Sequence, residues 1–272
     1  MTTADAPIDA EKPIVGMVHL PPLPGAPKFS GNFEEVLEAA LRDARRLEDG
    51  GVDALMLENF GDAPFYPEDV PKHVVASMTR VAAAIREAVD LPMGINVLRN
   101  DADAALSVAA AVEAALVRVN VHVGARVTDQ GVIEGRAHET VRLRERLDSD
   151  VAILADLDVK HSAPLAERPL DAEAVAEPVE RGFAEGVVVS GAGTGHEVSG
   201  DHLRAAVSAR DEAGLDAPIF VGSGTTVENV AEILGVADGA IVGTALKEGG
   251  ETTNPVSEER VRKLVEAADE TR

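Results

Sequence analysis

The segment Ala155-Asp156-Leu157-Asp158-Val159-Lys160-His161-Ser162 places two carboxylates, an amine and an imidazole almost side by side. Such a set can move protons, form a Schiff base with a carbonyl substrate, or bind an anion. A Schiff base needs a depressed lysine pKa, and Asp156, Asp158 and Glu58 are expected to raise it. Proton transfer or electrostatic binding is therefore the role expected of Lys160. His161 offers a second proton carrier that titrates near neutral pH. Glu58, Asp156, Lys160 and His161 form the expected catalytic set.

Other polar residues also fall where short apolar runs end. They are His19, the pair Glu58-Asn59, Asn96, the alternating Arg118, Asn120 and His122, and Ser190. A period of two puts Arg118, Asn120 and His122 on one face of a strand, and Asp156, Asp158 and Lys160 on one face of the next. Each residue has a bland alternative. Arg118 could pair with Asp156 or Glu58 as a stabilising layer, the asparagines could satisfy loop backbone, and His122 could cap a strand. Gathered at one rim, the set reads as functional, because an idle buried charge costs several kcal/mol. His19, Asn59, Asn96, Arg118, Asn120, Asp158 and Ser190 are the expected substrate-orienting residues.

Two glycine turns suggest a phosphate. Val221-Gly222-Ser223-Gly224 precedes Thr225 and Glu228, which have capping-box spacing, so a helix is expected to open there. Val242-Gly243-Thr244-Ala245 follows. Small residues let backbone N–H groups approach an anion, and a helix N-terminus adds positive dipole. Gly222, Ser223, Gly224, Gly243 and Thr244 are the expected phosphate cradle; tight turns alone would also want glycine. The stretch 190–200 is glycine-rich and reads as a mobile loop near the site. Glu58 and Asp156 with an added water would suit Mg²⁺, but nothing in the sequence demands a metal. The histidines form no HExxH pattern, and Ser190 is not in a nucleophile elbow.

These residues need a scaffold that collects strand ends. Eight β-rich runs supply them: 14–20, 53–59, 92–98, 116–123, 151–159, 186–191, 218–224 and 239–246. Helical segments lie between. In the clearest, Phe33, Val36, Leu37, Ala40, Leu41, Ala44 and Leu47 mark one apolar face, with Asn32 as cap and Gly50-Gly51 as stop. The others run over 71–89, 101–114, 136–147, 171–184, 201–213, 226–235 and 256–269. Strict alternation predicts parallel strands joined by crossover helices, and eight units predict a single-domain α/β (β/α)8 TIM barrel over residues 13–272. An open doubly wound sheet is the alternative, but the proline-rich HLPPLPGAPKF after the first run does not suit a dinucleotide turn. Residues 1–12 read as a disordered lead-in with no signal-peptide pattern.

Composition narrows the partners. The 272 residues carry 25 Lys plus Arg against 48 Asp plus Glu, a formal charge of −23. Arginine outnumbers lysine, aromatics make up 3%, and Trp and Cys are absent. The charge repels nucleic acid and few rings are present to stack on bases. Lacking cysteine, the chain has no disulfide, thiolate nucleophile or Cys-based metal site. Acid spread along the whole length, with 45% hydrophobic residues, suggests a folded cytoplasmic protein of a halophile, where salt screens self-repulsion. No run is long enough to insert in a membrane. Self-association is expected by analogy with other barrels.

The segments KPIVGMVHLPPLPGAP (12–27), GGVDALMLENFGDAPF (50–65), NVLRND (96–101), VNVHVGARVTDQGVIEGRA (119–137), ILADLDVKHS (153–162) and VVVSGAGTG (187–195) resemble the BtpA family, which takes in SgcQ-like proteins. The resemblance runs over nearly the whole chain after residue 12, in a haloarchaeal-type acidic version. It implies a TIM barrel with a terminal phosphate site. It also implies one of two roles: an enzyme of lyase, isomerase or epimerase type acting on a small phosphorylated metabolite such as a sugar phosphate, or a non-catalytic factor in photosystem I biogenesis. The family segment 124–137 holds Arg126, Thr128, Asp129, Gln130, Glu134 and Arg136. These groups suit a lid over a polar ligand, or an oligomer contact.

Overall fold

A computed structural model describes residues 8–166, 168–191 and 198–272. Eight parallel strands close into a barrel: β1 (Ile14–His19), β2 (Ala54–Glu58), β3 (Met93–Asn96), β4 (Leu116–Val119), β7 (Ala152–Asp156), β9 (Gly186–Val189), β10 (Ile219–Val221) and β11 (Gly239–Val242). Their order around the barrel is β1-β11-β10-β9-β7-β4-β3-β2. Helices α1 (Phe33–Asp49), α2 (Lys72–Ala88), α3 (Ala102–Ala111), α4 (Ala137–Arg146), α5 (Ala172–Ala176), α6 (Gly200–Glu212), α7 (Val230–Leu234) and α8 (Glu258–Asp269) lie between and after them. The fold is the expected (β/α)8 barrel.

Each of the eight barrel strands is buried on both faces, which is why each reads as an apolar run. One face of the strands packs on the helices: Val36, Ala40, Ala44 and Leu47 of α1 form its buried stripe. The Asn32 side chain accepts from Glu34 N at 3.1 Å, the cap expected there. The other face fills the barrel with Val15, Met17, Met56, Leu116, Leu154 and Phe220, among others. Ile8 packs into this same cluster and Lys12 Nζ donates to the Leu234 carbonyl. Packing thus begins before residue 13, inside the segment expected to be a lead-in.

The strands are shorter than their apolar runs suggest. β4 ends at Val119 and β7 at Asp156, so Asn120, His122, Asp158 and Lys160 stand beyond strand ends. Three further strands were not expected. β5 (Ala125–Thr128) and β6 (Gly131–Glu134) form an antiparallel hairpin, and β8 (Ser162–Pro164) adds to its β5 edge. This small sheet lies where the sequence placed a lid. The helix expected over 226–235 is only α7: the turn amide of Thr226 bonds Asn229 Oδ1 at 2.7 Å instead of a Thr225–Glu228 capping box forming. Among the described residues, no helix is long and apolar enough to cross a membrane.

Candidate functional site

Above the apolar filling, each of the eight barrel strands has a polar or glycine residue at or next to its C-terminal end: His19, Glu58, Asn96, Arg118, Asp156, Ser190, Gly222 and Gly243. Period-two alternation carries the inward face up to this layer. At its centre, Arg118 is 2% exposed. Its Nε donates to Asp156 Oδ1 at 2.8 Å and its Nη2 to Asp156 Oδ2 at 2.9 Å and to Ser190 Oγ at 3.2 Å. Asn120 Nδ2 adds a bond to Asp156 Oδ2 at 3.1 Å, and Asn96 Nδ2 holds Asn120 Oδ1 at 3.2 Å. Between the two pairings left open for Arg118, the geometry realises the one with Asp156. Both oxygens of Asp156 therefore have donors from the chain itself.

Lys160 reaches the same centre from the turn after β7. Its carbonyl accepts Arg99 Nη2 at 2.5 Å. Burial pulls the Lys160 ammonium below the usual lysine range. Glu58 and Asp156 act the other way, Arg118 and Arg99 reinforce the lowering, and burial prevails. The expectation that carboxylates would raise this pKa is thus overturned by desolvation. A lowered pKa favours the neutral amine, the form in which a lysine serves as base or nucleophile.

Several expected site residues also have structural partners. Asp158 does not line up with Asp156 and Lys160; it leaves the strand period and accepts Arg126 Nη1 at 2.7 Å under the hairpin. His161 is exposed and does not line the site cavity. Asn59 receives Leu98 N at 2.7 Å and donates to Asp62 Oδ2 at 3.1 Å, a loop-bracing role. His122 turns to the Gly182 carbonyl at 2.8 Å. Ser223 Oγ accepts Gly191 N at 2.9 Å, joining the β9 and β10 turns. Residues 192–197, in the loop expected to be mobile, lie outside the described residues.

A cavity of about 420 Å³ opens over this layer. Its wall includes His19, Arg118 and Lys160, then Gly222–Glu228 and Gly243–Ala245. A Cβ on Gly222 would stand 2.6 Å from Ser190 Oγ and 3.0 Å from Arg118 Nη2; one on Gly243 would stand 2.8 Å from His19 Cε1. Glycine is thus needed for close approach at both turns. Thr225 is 3% exposed and its Oγ1 has no hydrogen-bond partner. Thr244 opens a short 3-10 helix, whose first amides have no partner within it. Helix α8 contributes Arg260 and Lys263 to the rim. The wall therefore holds four arginine or lysine side chains and one carboxylate, Glu228, whereas the whole chain has 48 acids to 25 bases. Sequence reading missed Arg99, Arg260 and Lys263. The scarcity of basic residues was the available signal for the last two.

His19 stands beside Glu58, Nε2 to Oε1 3.7 Å. Burial first, then the charges of Lys247 and Lys160, push its pKa well below the usual histidine range. Below the unfolded value of about 6.5, the unfolded chain binds a proton that the folded chain refuses. Stability should therefore fall on acidification through that window, by up to about 1.4 kcal/mol per pH unit for this group. Denaturant unfolding between pH 7 and 5 should show a shallower loss in His19→Gln; an equal loss would contradict the assignment.

Comparison with known proteins agrees with this architecture. An uncharacterized protein of Thermococcus kodakarensis is 51% identical over 261 residues, covering 96% of this chain and 97% of that one. The photosystem I biogenesis protein BtpA of Synechocystis is 43% identical over 258 residues, covering 95% of this chain and 88% of that one. The phosphoribosyl anthranilate isomerase of Thermus thermophilus matches with a TM-score of 0.58 over 96% of this chain and 100% of that one. At 14% identity that likeness is one of fold alone. The model of the BtpA family matches residues 10–270, the span that builds the barrel and its polar rim, and the chain belongs to that family.

Proposed function

We propose that the chain is an enzyme of isomerase, epimerase or lyase type acting on a small phosphorylated metabolite. One observation carries this reading: a single cavity wall joins the two glycine turns to a half-buried, pKa-lowered lysine, and its charge balance is the reverse of the chain's. In the proposed arrangement the phosphate lies against Gly222–Thr225 and Gly243–Thr244, with Thr225 Oγ1 as a donor and Arg260 and Lys263 adding positive field. Lys160 and Glu58 carry protons. Arg118 is the fixed cation that neutralises developing negative charge, held in place by Asp156 and Asn120.

Thermal-shift screening with phosphorylated metabolites tests this directly. A ligand at 100 times its Kd adds about 2.7 kcal/mol, which for a chain of this size is a rise of roughly 5–10 °C in Tm. No shift with any phosphorylated compound would remove the reading. A second reading is a non-catalytic assembly role. It is supported by the name of the Synechocystis relative, a photosystem I biogenesis protein, and by the outward Val127, Val132 and Leu165 around the small sheet, 41%, 50% and 62% exposed. It requires a stable protein partner lost on Val132→Lys, and no ligand-induced shift.

A further inference from the structure

Three side chains stand in a row across the top of β1, β2 and β3. The sheet register pairs His19 with Glu58 and Glu58 with Asn96. The His19 and Glu58 side chains are 6% and 2% exposed, and Asn96 is 1% exposed. Each carries a buried polar atom without a hydrogen bond: His19 Nδ1, Glu58 Oε1 and Asn96 Oδ1. An ionised carboxylate and an amide oxygen can only accept. Burying such atoms unpaired is costly, so a native site that keeps two in adjacent positions calls for donors from outside the chain.

We infer that this row is a hydroxyl-recognition subsite, so that the ligand's carbon skeleton is a polyol with neighbouring hydroxyls on Glu58 and Asn96. Adjacent strands lie about 4.8 Å apart, a span that two neighbouring hydroxyls can bridge, each within hydrogen-bond reach of its acceptor. A ligand carboxylate or carbonyl would present acceptor to acceptor, and an aromatic ring would leave both oxygens unpaired. The row begins at the proposed phosphate turn, because the His19 ring is the group that a Cβ on Gly243 would strike. Its other end meets the Asn120–Asp156–Arg118 network through Asn96 Nδ2. His19 also lines the cavity of the glycine turns, so in this proposal the polyol end adjoins the phosphate end there. Glu58, holding a hydroxyl, is also placed to take its proton.

This inference rests on the proposed function only for the phosphate. Calorimetry on the full chain should compare inorganic phosphate, phosphoglycolate, ribose 5-phosphate, ribulose 5-phosphate, glucose 6-phosphate, fructose 6-phosphate and unphosphorylated ribitol. At least one sugar phosphate should bind at least about tenfold tighter than phosphoglycolate, the worth of a hydrogen bond to a charged group. In Glu58→Met that advantage should disappear while inorganic phosphate binds as before. If phosphate binds but no sugar phosphate exceeds phosphoglycolate, the polyol inference is overturned and the phosphate reading stands. Should only ribitol bind, with loss in Glu58→Met, the phosphate reading falls and the row stands. If nothing binds, both fall. The wild-type ligand series decides the matter even if the variant does not fold.

Discussion

Arg118→Met is expected to destabilise the chain by about 3–5 kcal/mol, a large share of the roughly 5–15 kcal/mol that holds a domain folded. The cost comes mainly from what is left behind. Asp156 would lose both bonds to the guanidinium, at 2.8 and 2.9 Å, and keep a buried charge with Asn120 as its remaining hydrogen-bond donor among the described residues. Removing both charges should be far milder, because an apolar pair can replace a buried ion pair at little cost or even with gain. Arg118→Met combined with Asp156→Leu should therefore recover more than half of the loss. Urea unfolding of the wild type, the two single variants and the double variant gives the coupling directly. A cost under about 1 kcal/mol for Arg118→Met would show that this network is not what organises the rim.

Lys160→Met should behave in the opposite way. The ammonium is held in a setting that disfavours its charge, so an apolar side chain of similar length should leave Tm unchanged or raise it slightly. Turnover of whichever phosphorylated metabolite stabilises the wild type should fall by about 10²–10⁴, the usual worth of a positioned proton carrier. Undiminished turnover would sink the assignment. Borohydride treatment in the presence of substrate separates the two uses of the amine. Permanent attachment of the substrate to the wild type, absent in Lys160→Met, would show that the lysine acts as a nucleophile instead of a base.

The barrel was legible because both faces of its strands are buried, so each strand is an apolar run with a polar or glycine residue at or next to its end. That closing residue is the rim, and His19, Glu58, Asn96, Arg118, Asp156 and the two glycine turns could all be found from it. What escaped depends on three-dimensional enclosure. The period of two holds only while a strand lasts. β7 stops at Asp156, so Asp158 swings away to Arg126 although its spacing matched. The sign of the Lys160 shift depends on how much solvent the folded rim removes, and no count of neighbouring acids supplies that. β5, β6 and β8 are short, and their outer side chains meet solvent, so they carry none of the apolar continuity that marked the barrel strands. Arg99 lay inside a family segment, yet only the fold shows its guanidinium on the Lys160 carbonyl.

The pairing of β8 with β5 has a mechanical side. Ser162, two residues after Lys160, pairs with Thr128, and Ser162 Oγ also accepts Arg126 Nε at 2.6 Å. The lysine thus sits on a short tether whose one end is the barrel strand β7 and whose other end is the hairpin. While the β5–β8 pairing holds, a shift of the hairpin is transmitted to that tether. In such an arrangement, moving the hairpin and re-aiming the amine would be one event, and a partner that gripped the hairpin from outside would take hold of the lysine as well.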